Sequence, residues 1–293
     1  MTLIQAILLG LVQGLTEFLP VSSSGHLALM KNLLRVNTDA GILFDILLHV
    51  ATLISVCAVM HKDIIKLALE FIGIVGDVAS NVVTFFANIA SKNEKGFYRR
   101  VITSSYRKFA VLIIVSSVPT AILGYLLKDI IETVESELLV PGICLIITGV
   151  ILLISDFISE GTKKPKEATN GDAFSIGVAQ GIATLPGISR SGITITACLL
   201  CGFDRRFAVK YSFIMSIPAI LGALLLELKD IGGQSSTGAE VGMYVVGMFI
   251  AAVVGFFALK LTNAIVQKKS FKYFAFYCLG IGAVSVIAYI IKF

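Results

Sequence analysis

Glu17, the run Ser22-Ser23-Ser24-Gly25 and His26 lie within ten residues of one another near the start of the chain. Arg190 lies far downstream, between Ser189 and Ser191 and just ahead of Gly192 and Thr194. Glu17 and His26 can take or give a proton, and a serine beside them can attack as a nucleophile once its own proton is removed. Arg190 is always charged, and its planar fork matches phosphate oxygens. The hydroxyls of Ser189, Ser191 and Thr194 add donors, and Gly187 and Gly192 let the backbone come close. Serine hydroxyls and freed N–H groups at a helix start also suit an anion, although the same serines serve as plain N-caps. Gln13 sits one turn before Glu17 and faces the same way. Together these groups point to a site for phosphate carried on a lipid. His49, four residues after Asp45, suggests a buried polar pair, and His61 reads as interfacial. No Walker A phrase and no His-rich metal spacing is present.

The serines and the arginine belong to two copies of one phrase. Gln13-Gly14-Leu15-Thr16-Glu17-Phe18-Leu19-Pro20-Val21-Ser22-Ser23-Ser24-Gly25 aligns without a gap on Gln180-Gly181-Ile182-Ala183-Thr184-Leu185-Pro186-Gly187-Ile188-Ser189-Arg190-Ser191-Gly192. Gly10 and Gly177 extend the match upstream. Glu17 and His26 occur in the first copy only, and Arg190 takes the place that Ser23 holds there. One site built from both halves is expected, with Ser23 and Arg190 projecting from their loop tips into one midplane cavity.

The elements that position these residues follow from composition. Mean hydropathy is +0.91, 56% of residues are hydrophobic and 15% are charged. Soluble domains carry about a quarter charged residues, so the chain is expected to be an all-α polytopic membrane protein. The apolar stretches are continuous rather than alternating, which disfavours a barrel. No Lys or Arg precedes Lys31 and no cleavage signal follows the first apolar stretch, so no signal peptide is read. The five cysteines all lie in apolar segments, and the Cys198-x-x-Cys201 pair lacks further ligands nearby. They read as small hydrophobes.

Six segments are long enough to span, near Gly41–Met60, Phe109–Leu127, Leu138–Phe157, Phe207–Leu226, Gly242–Leu261 and Tyr273–Ile291. Leu3–Leu34 and Phe174–Cys201 are broken at their centres by Pro, Gly and Ser, and read as re-entrant helical hairpins. Lys and Arg concentrate in the loop after Met60, at Lys163, Lys164 and Lys166, at Arg205, Arg206 and Lys210, and between Lys260 and Lys272. These are placed inside by the positive-inside rule, and the acid-rich stretches 132–137 and 227–240 outside. Counting crossings then makes the first hairpin enter from outside and the second from inside. The expectation is an inverted-topology repeat in a single membrane domain, with repeat one over 1–158 and repeat two over 172–293. Sites in such folds lie near the midplane at broken helices. Within an interfacial or cytoplasmic insertion at about 62–107, Asp63–Asn93 is read as an interfacial amphipathic helix rather than a seventh span.

Gln13-x-x-x-Glu17 matches an (E/Q)xxxE motif, and Pro186-Gly187-x-Ser189-Arg190-Ser191-x-x-Thr194 matches PGxSRSxxT. Over nearly its whole length the chain resembles the undecaprenyl-diphosphate phosphatases of the bacitracin-resistance type. The resemblance implies hydrolysis of undecaprenyl diphosphate to undecaprenyl phosphate and inorganic phosphate, which recycles the cell-wall lipid carrier. It implies a multi-pass protein of the bacterial plasma membrane with its active site facing outside. It puts the catalytic groups at Glu17, Ser23, His26 and Arg190, with Gln13, Ser22, Ser24, Gly25, Ser189, Ser191, Gly192 and Thr194 around the substrate. It also implies a divalent cation, Mg²⁺ or Ca²⁺, for which Glu17 is the ligand at hand. Gln13 stands where many members have a second Glu. The expected partners are the lipid substrate and the bilayer, with a homodimer allowed and no nucleic acid.

The nucleophile stays open among Ser23 with His26 as base, His26 itself, and a water activated by Glu17 or a metal. Glu17 and His26 are expected to act as a coupled unit. A polyprenyl-phosphate transporter or flippase using the same site is the second reading, and a receptor or scaffold without chemistry the third. Glu17, Ser23 and His26 beside an anion clamp favour the enzyme, because transport needs binding but no nucleophile.

Overall fold

The computed structural model describes residues 1–36, 38–90, 96–134, 137–159, 161–230, 238–268 and 271–292. Glu135 and Ser136, residues 231–237, and the cations Lys92, Lys95 and Lys269 lie outside the described residues. Among the described residues every named element is a helix. Six are long and apolar enough to cross a membrane. They are α3 (Thr38–Ala90), α4 (Ser105–Leu126), α6 (Leu139–Phe157), α9 (Arg205–Asp230), α10 (Gly238–Gln267) and α11 (Phe271–Lys292). A short α5 (Lys128–Val134) follows α4, where a loop was expected.

The two broken regions are broken where the sequence placed the breaks. The first is α1 (Leu3–Phe18) and α2 (Ser23–Leu34), and the second is α7 (Asn170–Ile182) and α8 (Arg190–Leu200). At about 1.5 Å per residue none of the four reaches across a hydrocarbon core of about 30 Å. Their starts are built alike. Ser22 caps α2 by accepting the Gly25 N–H at 3.3 Å, and Ser189 caps α8 by accepting the Gly192 N–H at 3.1 Å. Ser23 and Arg190 are therefore each the first residue of a half-helix.

The first long helix departs from expectation. It does not end at Met60 but kinks there (φ −105°, ψ 18°) and runs on to Ala90. Its 53 residues would measure about 80 Å, far beyond one crossing. The part after Met60 is tied to the start of α4. Arg107 donates from Nε to Glu70 at 3.0 Å, and from Nη1 to Asp77 at 2.5 Å and to the Val101 carbonyl at 2.8 Å. Asn81 and Asn88 pair reciprocally with the backbone of Arg99 and Gly96 as the chain returns. Lys62, Asp63, Lys66, Glu70 and Asp77 are the only charged residues between Lys62 and Ala90, and no proline breaks the helix there.

Packing pairs the half-helices with long ones. α1 lies on α10 and α7 on α4, while α6 and α11 form the most extensive pair. Glycines set these distances. A Cβ on Gly10 would fall 2.5 Å from the Gly247 carbonyl oxygen, and one on Gly177 would fall 2.2 Å from that of Ser116. In both cases the obstacle is backbone, which cannot swing aside. Gly177→Ala is therefore expected to lower stability by about 1–3 kcal/mol, the usual cost of overpacking. Thermal unfolding in detergent checks this; a midpoint at or above that of the parent would show that α7 can shift on α4.

Candidate active site

The two loop tips meet. Gly25 packs so closely on Gly187 that a Cβ there would stand 2.9 Å from the Gly187 Cα. The Gly187 N–H donates to Ser24 Oγ at 3.3 Å, and Ser191 Oγ donates to the Leu19 carbonyl at 3.3 Å. Thr148 on α6 braces the second loop, donating to the Gly187 carbonyl at 2.9 Å and accepting the Ser189 N–H at 3.0 Å. Gly187 has φ +96° and lies against the Pro141 carbonyl, so only glycine fits there.

Glu17, at the end of α1, gathers the site. Its carboxylate is almost fully buried, with 4% of the side chain exposed. Oε1 accepts from Arg190 Nη2 at 2.6 Å. Oε2 accepts from Ser23 Oγ at 2.6 Å and from Gln13 Nε2 at 3.0 Å. His49 Nε2 lies 3.8 Å from the same oxygen. The first residues of both half-helices thus converge on one carboxylate. Burying Arg190 and Glu17 separately would be strongly unfavourable, and each answers the other. Arg190 presents five N–H donors; with Nη2 given to Glu17, the rest of the fork suits an anion.

With this convergence in place, comparison with known proteins places the chain. Residues 6–284 match the family model described as "Bacitracin resistance protein BacA". The chain belongs to this family. Proteins named undecaprenyl-diphosphatase are similar over almost their full lengths. That of Methanosphaera stadtmanae is 39% identical over 285 residues, 97% of both chains. That of Alkaliphilus metalliredigens is 39% identical over 287 residues, 98% of both. That of Desulfosudis oleivorans is 41% identical over 283 residues, 96% of this chain and 97% of the other.

The remaining residues singled out in this BacA-family sequence fall into two groups. Ser22 and Ser24 stay at the first loop, with their hydroxyls 3.3 Å apart. Ser22 has φ +69°, costly for a non-glycine residue, and its carbonyl is held by His26 Nδ1 at 2.7 Å. Ser189 and Ser191 are buried, again with hydroxyls 3.3 Å apart, and Gly192 closes the cap. Thr194 does not join the site. Its hydroxyl turns back to the Arg190 carbonyl at 2.6 Å and meets Ser212 of α9 at 2.6 Å. It steadies α8 rather than supplying a donor beside the guanidinium.

Two expected pairings differ from the structure. Ser23 is hydrogen-bonded to Glu17 and not to His26, because Glu17 Oε2 takes its hydroxyl while both His26 ring nitrogens are engaged elsewhere. Asp45 pairs with Lys31 instead of with the His49 ring, whose Nδ1 donates to the Asp45 carbonyl at 2.9 Å and whose Nε2 faces Glu17. Sequence reading also passed over Tyr277 of α11, whose hydroxyl lies 2.9 Å from His26 Nε2. No local signal marks Tyr277, since 251 positions separate the two residues. His49 did carry one, as a polar residue inside an apolar span.

Proposed function

We propose that this chain is an undecaprenyl-diphosphatase, hydrolysing undecaprenyl diphosphate to undecaprenyl phosphate and inorganic phosphate in the cell membrane. The observation that carries the reading is Glu17 holding Ser23 and Arg190, both at 2.6 Å, at the meeting point of the two loops. Arg190 binds the terminal phosphate. Ser23 Oγ attacks its phosphorus, and the proton passes to Glu17 Oε2 as the anhydride P–O bond breaks and undecaprenyl phosphate leaves. Water then cleaves the Ser23 phosphoester and releases inorganic phosphate. Phosphoryl transfer has a loose transition state, so positioning and charge stabilisation matter more than a strong base. A pure transporter is less well supported, because a serine hydroxyl given to a buried carboxylate is chemistry that transport does not need.

A divalent cation suits the same corner. Gln13 Oε1 is buried with no hydrogen-bond partner and belongs to the amide that touches Glu17. Among the described residues no three His, Cys, Asp or Glu side chains cluster as ligands. Gln13 and Glu17 would therefore hold Mg²⁺ or Ca²⁺ together with the substrate's own phosphate oxygens, as Mg²⁺ commonly binds. Such an ion would neutralise charge on the diphosphate.

The inverted repeat and the outward-facing site are part of the proposal. What supports the repeat is reciprocal packing: α1 on α10 mirrors α7 on α4, α3 on α10 mirrors α9 on α4, and α6 meets its own counterpart α11. The Lys and Arg bias supports an inside position for Lys163–Lys166. Labelling of a single cysteine at position 164 should be blocked in intact cells and occur in inverted membranes; external labelling would reverse the orientation.

The direct test uses purified protein and a diphosphate labelled in its terminal phosphate. Acid quenching in the first turnovers should trap label on Ser23, and Ser23→Ala should trap none. Full turnover by Ser23→Ala would assign the attack to water or His26. No phosphate release by the parent protein would remove the phosphatase reading altogether.

A further inference from the structure

His26 is 8% exposed, and both of its ring nitrogens are engaged. Nδ1 lies 2.7 Å from the Ser22 carbonyl oxygen. A carbonyl can only accept, so Nδ1 carries the hydrogen. In the neutral ring Nε2 is then the free base, and the hydroxyl that reaches it at 2.9 Å is that of Tyr277. The two rings are nearly parallel, 7° apart with centroids at 5.5 Å.

Tyr277 stands on a firm platform. α11 packs on α6 through glycines: a Cβ on Gly149 would fall 2.9 Å from the Ala275 carbonyl, and one on Gly282 would fall 2.7 Å from the Gly142 carbonyl. The next residue, Cys278, lies with its sulfur 3.9 Å from the Pro20 carbonyl, so α11 also touches the first loop. A side chain on such an element has little freedom, which is what positioning a catalytic group requires.

We propose that Tyr277 is a positioning residue for His26. Its hydroxyl donates to Nε2 of the Nδ1–H tautomer that the Ser22 carbonyl selects, and holds the ring beside α11, away from Ser23. This makes the last helix part of the active site, although both sequence motifs lie in the hairpins. The ring hydrogen bond to Ser22 also holds the positive-φ residue that caps α2, so the orientation of His26 and the placement of Ser23 are linked. The proposal rests on the phosphatase reading for its kinetic arm only.

Tyr277→Phe keeps the stacked ring and removes the hydroxyl. In the full-length protein in detergent, kcat for undecaprenyl diphosphate should fall about 10-fold, less than the roughly 10²–10⁴-fold that a proton-transfer group itself contributes, with KM within about twofold. Nitrogen NMR of histidine-labelled protein, assigned by replacing each of the three histidines in turn, should show His26 as the Nδ1–H tautomer in both proteins, with its Nε2 resonance shifted in Tyr277→Phe by loss of the hydroxyl's hydrogen bond. Tyr273→Phe, on an exposed face of the same helix, should change neither readout. An unchanged Nε2 resonance overturns the proposal even if stability and activity fall together, because Tyr277 would then be structural. A shifted Nε2 resonance with unchanged kcat overturns it too, because the hydrogen bond would not matter to the reaction. Failure of the parent to release phosphate would instead strike the phosphatase reading, and the Nε2 measurement would still stand.

Discussion

Arg190→Lys is expected to lower kcat/KM by about 10³-fold or more, the scale on which a single arginine supports phosphoryl transfer, while the protein stays folded. The charge is conserved, so the loss isolates geometry. Arg190 spends Nη2 on Glu17 at 2.6 Å and keeps the rest of its planar fork for the diphosphate. A lysine offers one compact ammonium on a flexible stem, which can meet the buried carboxylate or the phosphate but cannot brace both in one plane. Steady-state kinetics with purified protein, alongside the thermal midpoint in the same detergent, check the prediction. A folded variant with near-parental kcat/KM would take Arg190 out of diphosphate binding.

Glu17→Gln and Ser23→Ala should each cost about 10²–10⁴-fold in kcat, and the double variant should cost little more than either. The two groups share one hydrogen bond of 2.6 Å, so removing either end dismantles the same unit. The glutamine keeps the shape of the carboxylate but loses its charge, leaving Arg190 without its counter-ion. Glu17 and His26 were the pair that spacing favoured. The structure turns His26 toward Tyr277, so Glu17→Gln and His26→Ala are expected to combine close to additively. A double-mutant cycle over Glu17, Ser23 and His26 checks both statements. Coupling between Glu17 and His26, with independence of Glu17 and Ser23, would invert the assignment.

The sequence by itself determined the class of fold, the number of candidate spans, the two breaks and the residues worth attention. It could do so because each of these is local. A run of about 20 apolar residues, a Pro-Gly-Ser interruption and an N-capping serine act over a turn or two of chain. The repeated phrase went further, since two copies differing at Ser23 and Arg190 already implied that the halves meet. The tertiary structure alone decided which side chain faces which. Ser23 pairs with Glu17 rather than with His26, although His26 is the nearer in sequence, because the His26 ring is already held by the Ser22 carbonyl and Tyr277. Thr194 leaves the site because Ser212 of α9 offers its hydroxyl a partner. His49 and Tyr277 enter it because α3 and α11 pack where they do. The length of α3 beyond Met60 was likewise out of reach of pattern alone, since charged residues there are held by Arg107, Tyr106 and Lys210 from other helices. Periodicity fixes which face of a helix is apolar; only packing fixes what that face, and each polar group on it, will touch.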